Sequence, residues 1–455
     1  MLNIRCRTRS TSALAAVAAS LLLGACDVKE ELLSPQNPTV IDPSAVGNPG
    51  AANALRVGAL GALRSNTGGN GGNETAWLMG GLLTDEWKSA DTFLQRNETD
   101  QRKMQTNNSS IQGVYGGLQQ SRGYIRDAIT SMNTYLPTQT AQIGELYFAL
   151  GIIELTLAEN FCNGIPMGYA VDGVVSYTPS LTNTQVIALA VAHFDTALAI
   201  ASGTDAATVA VRTATFIAKA RTQVDLAQFS AAAATVSGVA TSYQYLMTFT
   251  ATTGGNGTWD LNWNRGGYSL ADSFDTSGLI RNAIPFISAN DPRLPVLNPR
   301  KAGQDGQTPL IEQNFVQRYD PVPLVSGIDA RLIEAEAKLQ ANDIAGMMTI
   351  LNALRTTSQT IGIFKVPAMA ALPIPADKTL ATNLFFREKA FWQFSRGHRL
   401  NDLRRLIRQY GRTQDAVFPT GSFFKGTTYG IDVNLPVTDN EKTNPLFTGC
   451  IDRNA

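Results

Sequence analysis

The residues most suited to chemistry in this sequence are aromatic and polar side chains grouped in stretches that lack helical spacing. Trp259, Asp260, Asn262, Trp263, Asn264 and Arg265 lead through two glycines to Tyr268. A sugar ring offers C–H faces that stack on indole and phenol rings, and its hydroxyls pair with Asn, Asp and Arg. Trp259, Trp263, Asn264, Arg265 and Tyr268 are therefore candidates for ligand contact. Trp77, Asp85 and Trp87 form a second such setting, and Phe423, Phe424 and Tyr429 a third. Loop aromatics held by a rigid body suit a binding role. The competing reading has the same rings closing over the core.

Bond-making chemistry finds little support. His193 and His398 are the two histidines; they fall in different helices with no ligand partner at helical spacing, which argues against zinc. No Gly-x-Ser-x-Gly elbow occurs. Glu334 and Glu336 point to different faces of one helix, so they are not the paired carboxylates a glycosidase sets across a cleft. The run from Thr67 to Asn73, rich in glycine, has no Lys-Ser/Thr after it and no strand before it. It reads as a flexible turn, not a phosphate cradle. No catalytic residue, metal or cofactor is expected.

The 455 residues are 44% hydrophobic and only 16% charged, a globular profile. Basic and acidic residues number 37 each. Arg5, Arg7 and Arg9 precede an apolar stretch, Ala13 to Leu23, and then Leu23-Gly24-Ala25-Cys26. This has the form of a bacterial secretory signal, and its end resembles a lipobox, which implies cleavage before Cys26 and diacylation of that cysteine. Residues 1–25 are then the signal and 26–50, with four prolines, a tether. Without the signal, 34 basic residues face 37 acidic ones, about −3 in net charge, which excludes a basic nucleic-acid face. After residue 25 there is no uninterrupted apolar run long enough to span a bilayer. Export leaves Cys162 and Cys450 in an oxidising setting. A disulfide between them is expected, with up to ~5 kcal/mol from closing so long a loop.

Most of the remainder carries helical periodicity. Ala51 to Arg64, Ile111 to Tyr135, Thr140 to Asn160, Thr182 to Ile200, Ala206 to Arg221 and Val224 to Val236 make a helical region over 51–249. Residues 250–325 lack that period. Helices resume over 329–356 and 380–410, packing on the first region, and the tail after 411 is irregular. The fold class is mainly α, with helix pairs of the tetratricopeptide kind and a loop-rich region within 250–455.

Four segments in order resemble the SusD/RagB family. They are Tyr147-Phe148-Ala149-Leu150 through Ile165-Pro166-Met167-Gly168; Arg331 to Leu339 with Leu351-Asn352-Ala353-Leu354-Arg355; Glu388-Lys389 with Gly397-His398-Arg399-Leu400-Asn401-Asp402-Leu403-Arg404-Arg405; and Leu435-Pro436-Val437 with Asn444-Pro445. Two places where the family often has an acid hold Trp392 and Arg396, and the usual ending is replaced by Leu446 to Cys450. In the third segment, Arg399 and Asp402 with Arg387, Glu388 and Lys389 are suited to ion pairs between two helices. The resemblance implies a SusD-like fold and a non-enzymatic lipoprotein of the outer membrane, facing outward. It also implies capture of a nutrient, a glycan above all, and delivery to a TonB-dependent transporter, which the loop aromatics could equally contact. Peptide capture, a scaffolding role and an exported glycoside hydrolase are the alternatives.

Overall fold

Apolar residues at helical spacing decide most of the architecture. The computed structural model describes residues 47–171 and 174–455; the signal segment and Cys26 lie outside the described residues. Residues Ala52–Ala455 form one compact unit, to which both the helix-rich and the loop-rich stretches belong.

Among the described residues, twelve helices of seven residues or more carry it: α1 Pro49–Thr67, α2 Ala76–Leu83, α3 Leu94–Asp100, α4 Ser109–Tyr135, α5 Thr140–Asn160, α6 Asn183–Ile200, α7 Ala206–Asp225, α8 Phe229–Val236, α9 Gly327–Gln340, α10 Ile344–Thr356, α11 Lys378–Trp392 and α12 Arg399–Arg408. The apolar stripe of α4 (Ile111, Val114, Tyr115, Leu118, Ile125, Ile129) is buried, as its spacing predicts. Thr182 and Gln185 form a capping box on α6, and Ser326 and Asp329 form one on α9. Helices adjacent in sequence pack as pairs, α4 on α5, α5 on α6, α7 on α8 and α9 on α10, and α8 joins the last two pairs through α9.

Two helices escape the periodicity argument. α2 (Ala-Trp-Leu-Met-Gly-Gly-Leu-Leu) is buried on every side, so it has no polar face to mark a period. α3 is short and almost wholly polar. Helices α5 and α6 are long and apolar enough to cross a membrane by length and composition, although neither is an uninterrupted apolar run. In α5 the apolar surface is mostly covered by protein: the helix is buried continuously from Phe148 to Asn160.

The stretch between residues 250 and 325 holds two-residue and three-residue strands paired as ribbons. One strand, Trp87–Ser89, pairs antiparallel with Tyr268–Leu270. Another ribbon joins Gln244–Met247 to Val322–Ser326. The glycine-rich loop is not a free turn. Gly71 donates to Gly255 (2.9 Å), and Gly257 donates to Gly68 (3.1 Å). A Cβ on Gly69 would lie 2.6 Å from the Cα of Gly257. Two backbones approach here closely enough that only glycine fits.

Cys162 and Cys450 form the expected disulfide, 288 residues apart in sequence. Beside it, Ile451 donates to Asn163 (2.7 Å), so the tail is tied to the turn after α5. Of the ion pairs expected of the third segment, Lys389–Asp402 forms, while Glu388 pairs with Arg293 and Arg355 and, among the described residues, Arg387 and Arg399 reach no carboxylate at ion-pair distance. Lys389 reaches Asp402 at 2.6 Å, and Arg405 bonds both Asp402 (3.1 Å) and Glu336. Arg396, at one of the departures from the family pattern, meets Asp329 at 2.7 Å.

Candidate functional site

The chain leaves α2 through Thr84 and turns at Asp85, which has φ +52°. It then enters the strand Trp87–Ser89. Strand alternation sends Trp87 and Ser89 inward and leaves Lys88 half-buried between them. Trp87 is wholly buried. Its indole N–H donates to Ser395 Oγ at 3.0 Å, and its ring lies 5.2 Å from Phe394. Trp77 is buried against the backbone of Gly397. Tyr268 is buried on the facing strand, 5.2 Å from the guanidinium of Arg96. Asp85 is buried and accepts from Tyr429 Oη at 3.2 Å. These four sequence candidates have their surfaces covered by protein in this conformation: Trp77 on an apolar helix, Trp87 and Tyr268 on inward positions of a two-stranded ribbon, and Asp85 in the turn between helix and strand.

Trp259, Trp263, Asn264 and Arg265 stay together on a short helical turn, Gly257–Trp259, that widens into a π turn, Asp260–Asn264. Trp259 and Trp263 are half-buried, and Asn264 and Arg265 are exposed. Trp259 has Arg318 over its ring at 5.7 Å, and Trp263 donates its indole N–H to the Gln313 carbonyl. Asp260 accepts from Asn264 (2.8 Å) and from Arg265 (2.7 Å).

An open cleft of about 1130 Å³ lies elsewhere. Lys88 and Asn97 line one side, Thr276 and the loop from Asp305 to Pro309 another, and Phe424 with Lys425 a third. Lys425 fastens these segments together. Its ammonium donates to the Asp91 carbonyl (2.6 Å) and to Asn97 Oδ1 (2.9 Å), and it pairs with Asp305 at 2.9 Å. Partial burial alone would raise the Asp305 carboxyl. Hydrogen bonds from Thr308 and Lys425 outweigh that and hold it below the usual carboxylate range. Phe93, next to Thr92 of the lining, is 55% exposed, and Phe274, on the hairpin that carries Thr276, is 65% exposed. Sequence reasoning placed Phe424 and the Trp87 neighbourhood among its settings but missed Lys88, Phe93 and Phe274. The strand turns Lys88 out where Trp87 turns in, but at three residues it is too short for that alternation to be read from the sequence.

Buried acids lie beside this region. Burial pushes Asp85 up to about 7, with the Tyr429 hydrogen bond opposing it, and pushes Glu86 up to about 8 against the Ser395 N–H and Arg399. An acid raised on folding contributes stability that is complete below its unfolded value and is lost as pH rises through its folded value. Glu86→Gln should therefore gain stability relative to the wild type between pH ~5 and pH ~9. Urea midpoints across that range measure it; a constant difference would show Glu86 to be ionised in the native state.

Among the described residues, no group of three or more His, Cys, Asp or Glu side chains is placed to hold a metal. Asp91 and Asp305, the two carboxylates of the cleft, are each tied to a cation, Arg96 and Lys425. The arrangement offers aromatic faces, amides, hydroxyls and fixed charges, which is a surface for holding a polar ligand.

No family model and no curated protein matches the sequence. Solved structures do match the fold. A SusD-like protein from Bacteroides fragilis superposes with a TM-score of 0.61 at 10% identity, over 90% of this chain and 98% of that one. The fold is SusD-like. A SusD-like carbohydrate binding protein from Bacteroides vulgatus gives 0.60 at 12% identity, over 88% of this chain and 98% of its own. A laminarin binding SusD-like protein gives 0.60 at 12% identity, over 89% and 99%. The helix pairs and the loop-rich stretch both fall within this SusD-like match, so the expected mainly α class is observed.

Proposed function

We propose that this chain is a SusD/RagB-family nutrient-binding protein that holds a glycan in the cleft between Lys88, Thr276 and Phe424. Cys26 is then its lipid anchor to the outer membrane, and a TonB-dependent transporter its partner. The observation that carries the reading is the cleft itself, an open groove of about 1130 Å³ in a SusD-like scaffold. Its lining mixes amide, hydroxyl and charged groups with Phe424, and its rim carries the exposed rings of Phe93 and Phe274. Such rings stack on sugar C–H faces while the polar groups take hydroxyls.

Calorimetry with a panel of soluble polysaccharides tests the proposal, with laminarin as the first probe. Phe93→Ala should weaken the best ligand by about 10-fold, about 1.4 kcal/mol, with the folded spectrum unchanged, because Phe93 is exposed. Binding of peptides alone, or no binding to any glycan at millimolar concentration, would overturn it.

A further inference from the structure

Four charged side chains line the cleft, and the protein answers three of them. Asp91 pairs with Arg96, and Asp305 with Lys425. Lys88 is the fourth. Among the described residues it meets no carboxylate at ion-pair distance; its ammonium lies over the ring of Phe424, 5.2 Å from the centroid. A ring face attracts a cation but accepts little from its three N–H donors. Resting on the glycan-capture reading above, we propose that the cleft selects acidic polysaccharides, with a uronate carboxylate or a sulfate ester pairing with Nζ of Lys88.

The position of Lys88 is built rather than incidental. Its backbone is fixed opposite Ser269 in the ribbon, and the residues on either side, Trp87 and Ser89, are buried. The side chain has one direction left, across the cleft to Phe424. Nearby acids do not cancel it in full. Burial pushes both Asp85 and Asp100 up, Asp85 to about 7, which weakens the negative charge that Asp85 sets against Lys88 near neutral pH. Asp275 accepts from the N–H and hydroxyl of Ser277. Arg102, which donates from Nε to the Asp432 carbonyl (2.9 Å) and from Nη1 to the Pro419 carbonyl (2.5 Å), adds a second positive charge facing Asp85. Asn97, Thr276 and Gln307 remain for sugar hydroxyls.

The test uses the full-length folded protein and polymers matched in all but charge: laminarin against sulfated laminarin, and polygalacturonate against its carboxyl-reduced form. At least one acidic member should bind about 10-fold more tightly than its neutral counterpart, a difference of about 1.4 kcal/mol, and salt should erode the preference. Lys88→Met should remove the preference, bringing the affinity for the acidic member down to that for its neutral counterpart measured on the same variant, and Lys88→Arg should restore it. Neutral members bound as well as acidic ones, or a preference untouched in Lys88→Met, would overturn the selection and leave glycan capture standing. Failure of every polymer to bind would overturn both.

Discussion

Replacing Glu388 with alanine is expected to cost about 3–5 kcal/mol of folding stability. Glu388 lies on α11, fully buried, between two guanidinium groups. Arg293 reaches its carboxylate at 2.7 and 3.1 Å, and Arg355 at 3.0 and 3.1 Å. Arg293 is itself 1% exposed and packs on Phe391 and Trp392. Burial alone would lower the Arg293 value; its hydrogen bond to Asp291 and the Glu388 charge outweigh that and hold it above the ordinary range. The guanidinium therefore stays charged, and removing Glu388 leaves a cation in the interior with half its partners gone. Asp291, 2.6 Å from Arg293, remains as partial compensation and places the expected value toward the lower end. The exposed pair Lys338–Asp343 is the control; Asp343→Ala also removes a helix cap, so Lys338→Ala is the cleaner substitution, expected within about 0.5 kcal/mol. Urea midpoints at unchanged slope give both values. A loss below about 1 kcal/mol for Glu388→Ala would show that the interior reorganises to solvate Arg293.

The helical scaffold was legible in the sequence and the candidate binding surface was not. Periodicity located the long helices because each has an apolar face and a polar face, and the start and end of α5 fall where the pattern places them. The third resembling segment yielded Lys389 and Asp402 as partners because charged residues flank apolar ones on both helices. The cysteine pairing followed from counting thiols left after export. None of these arguments reaches a loop. Trp77, Trp87 and Tyr268 share their residue types with sugar-stacking rings, and type alone does not say which side of a ribbon a ring occupies. Lys88 could have been noticed from Glu86-Trp87-Lys88-Ser89 only by assuming a strand, and three residues are too few to show alternation. Phe93 and Phe274 are exposed by tertiary placement, of which their neighbours in sequence carry no sign.

Gly397 supplies the second large effect. It joins α11 to α12 with φ +72°, and an ideal Cβ there would lie 2.1 Å from Cδ1 and 2.4 Å from Nε1 of Trp77. Gly397→Ala thus meets two independent penalties: the left-handed backbone costs about 1–2 kcal/mol for a residue with a Cβ, and forcing a methyl into a packed ring costs about 1–3 kcal/mol. A total near 2–5 kcal/mol is expected. The two parts separate in a double-mutant cycle with Trp77→Leu. With the indole gone the steric part should vanish, so Gly397→Ala in that background should cost only the backbone share, and the coupling should be about 1–3 kcal/mol. The result also decides what Trp77 is for. A ring wedged over Gly397 cannot swing out to stack on a sugar without opening the junction of two core helices. If Gly397→Ala proved harmless, the indole would be free to move, and its candidacy for ligand contact would return.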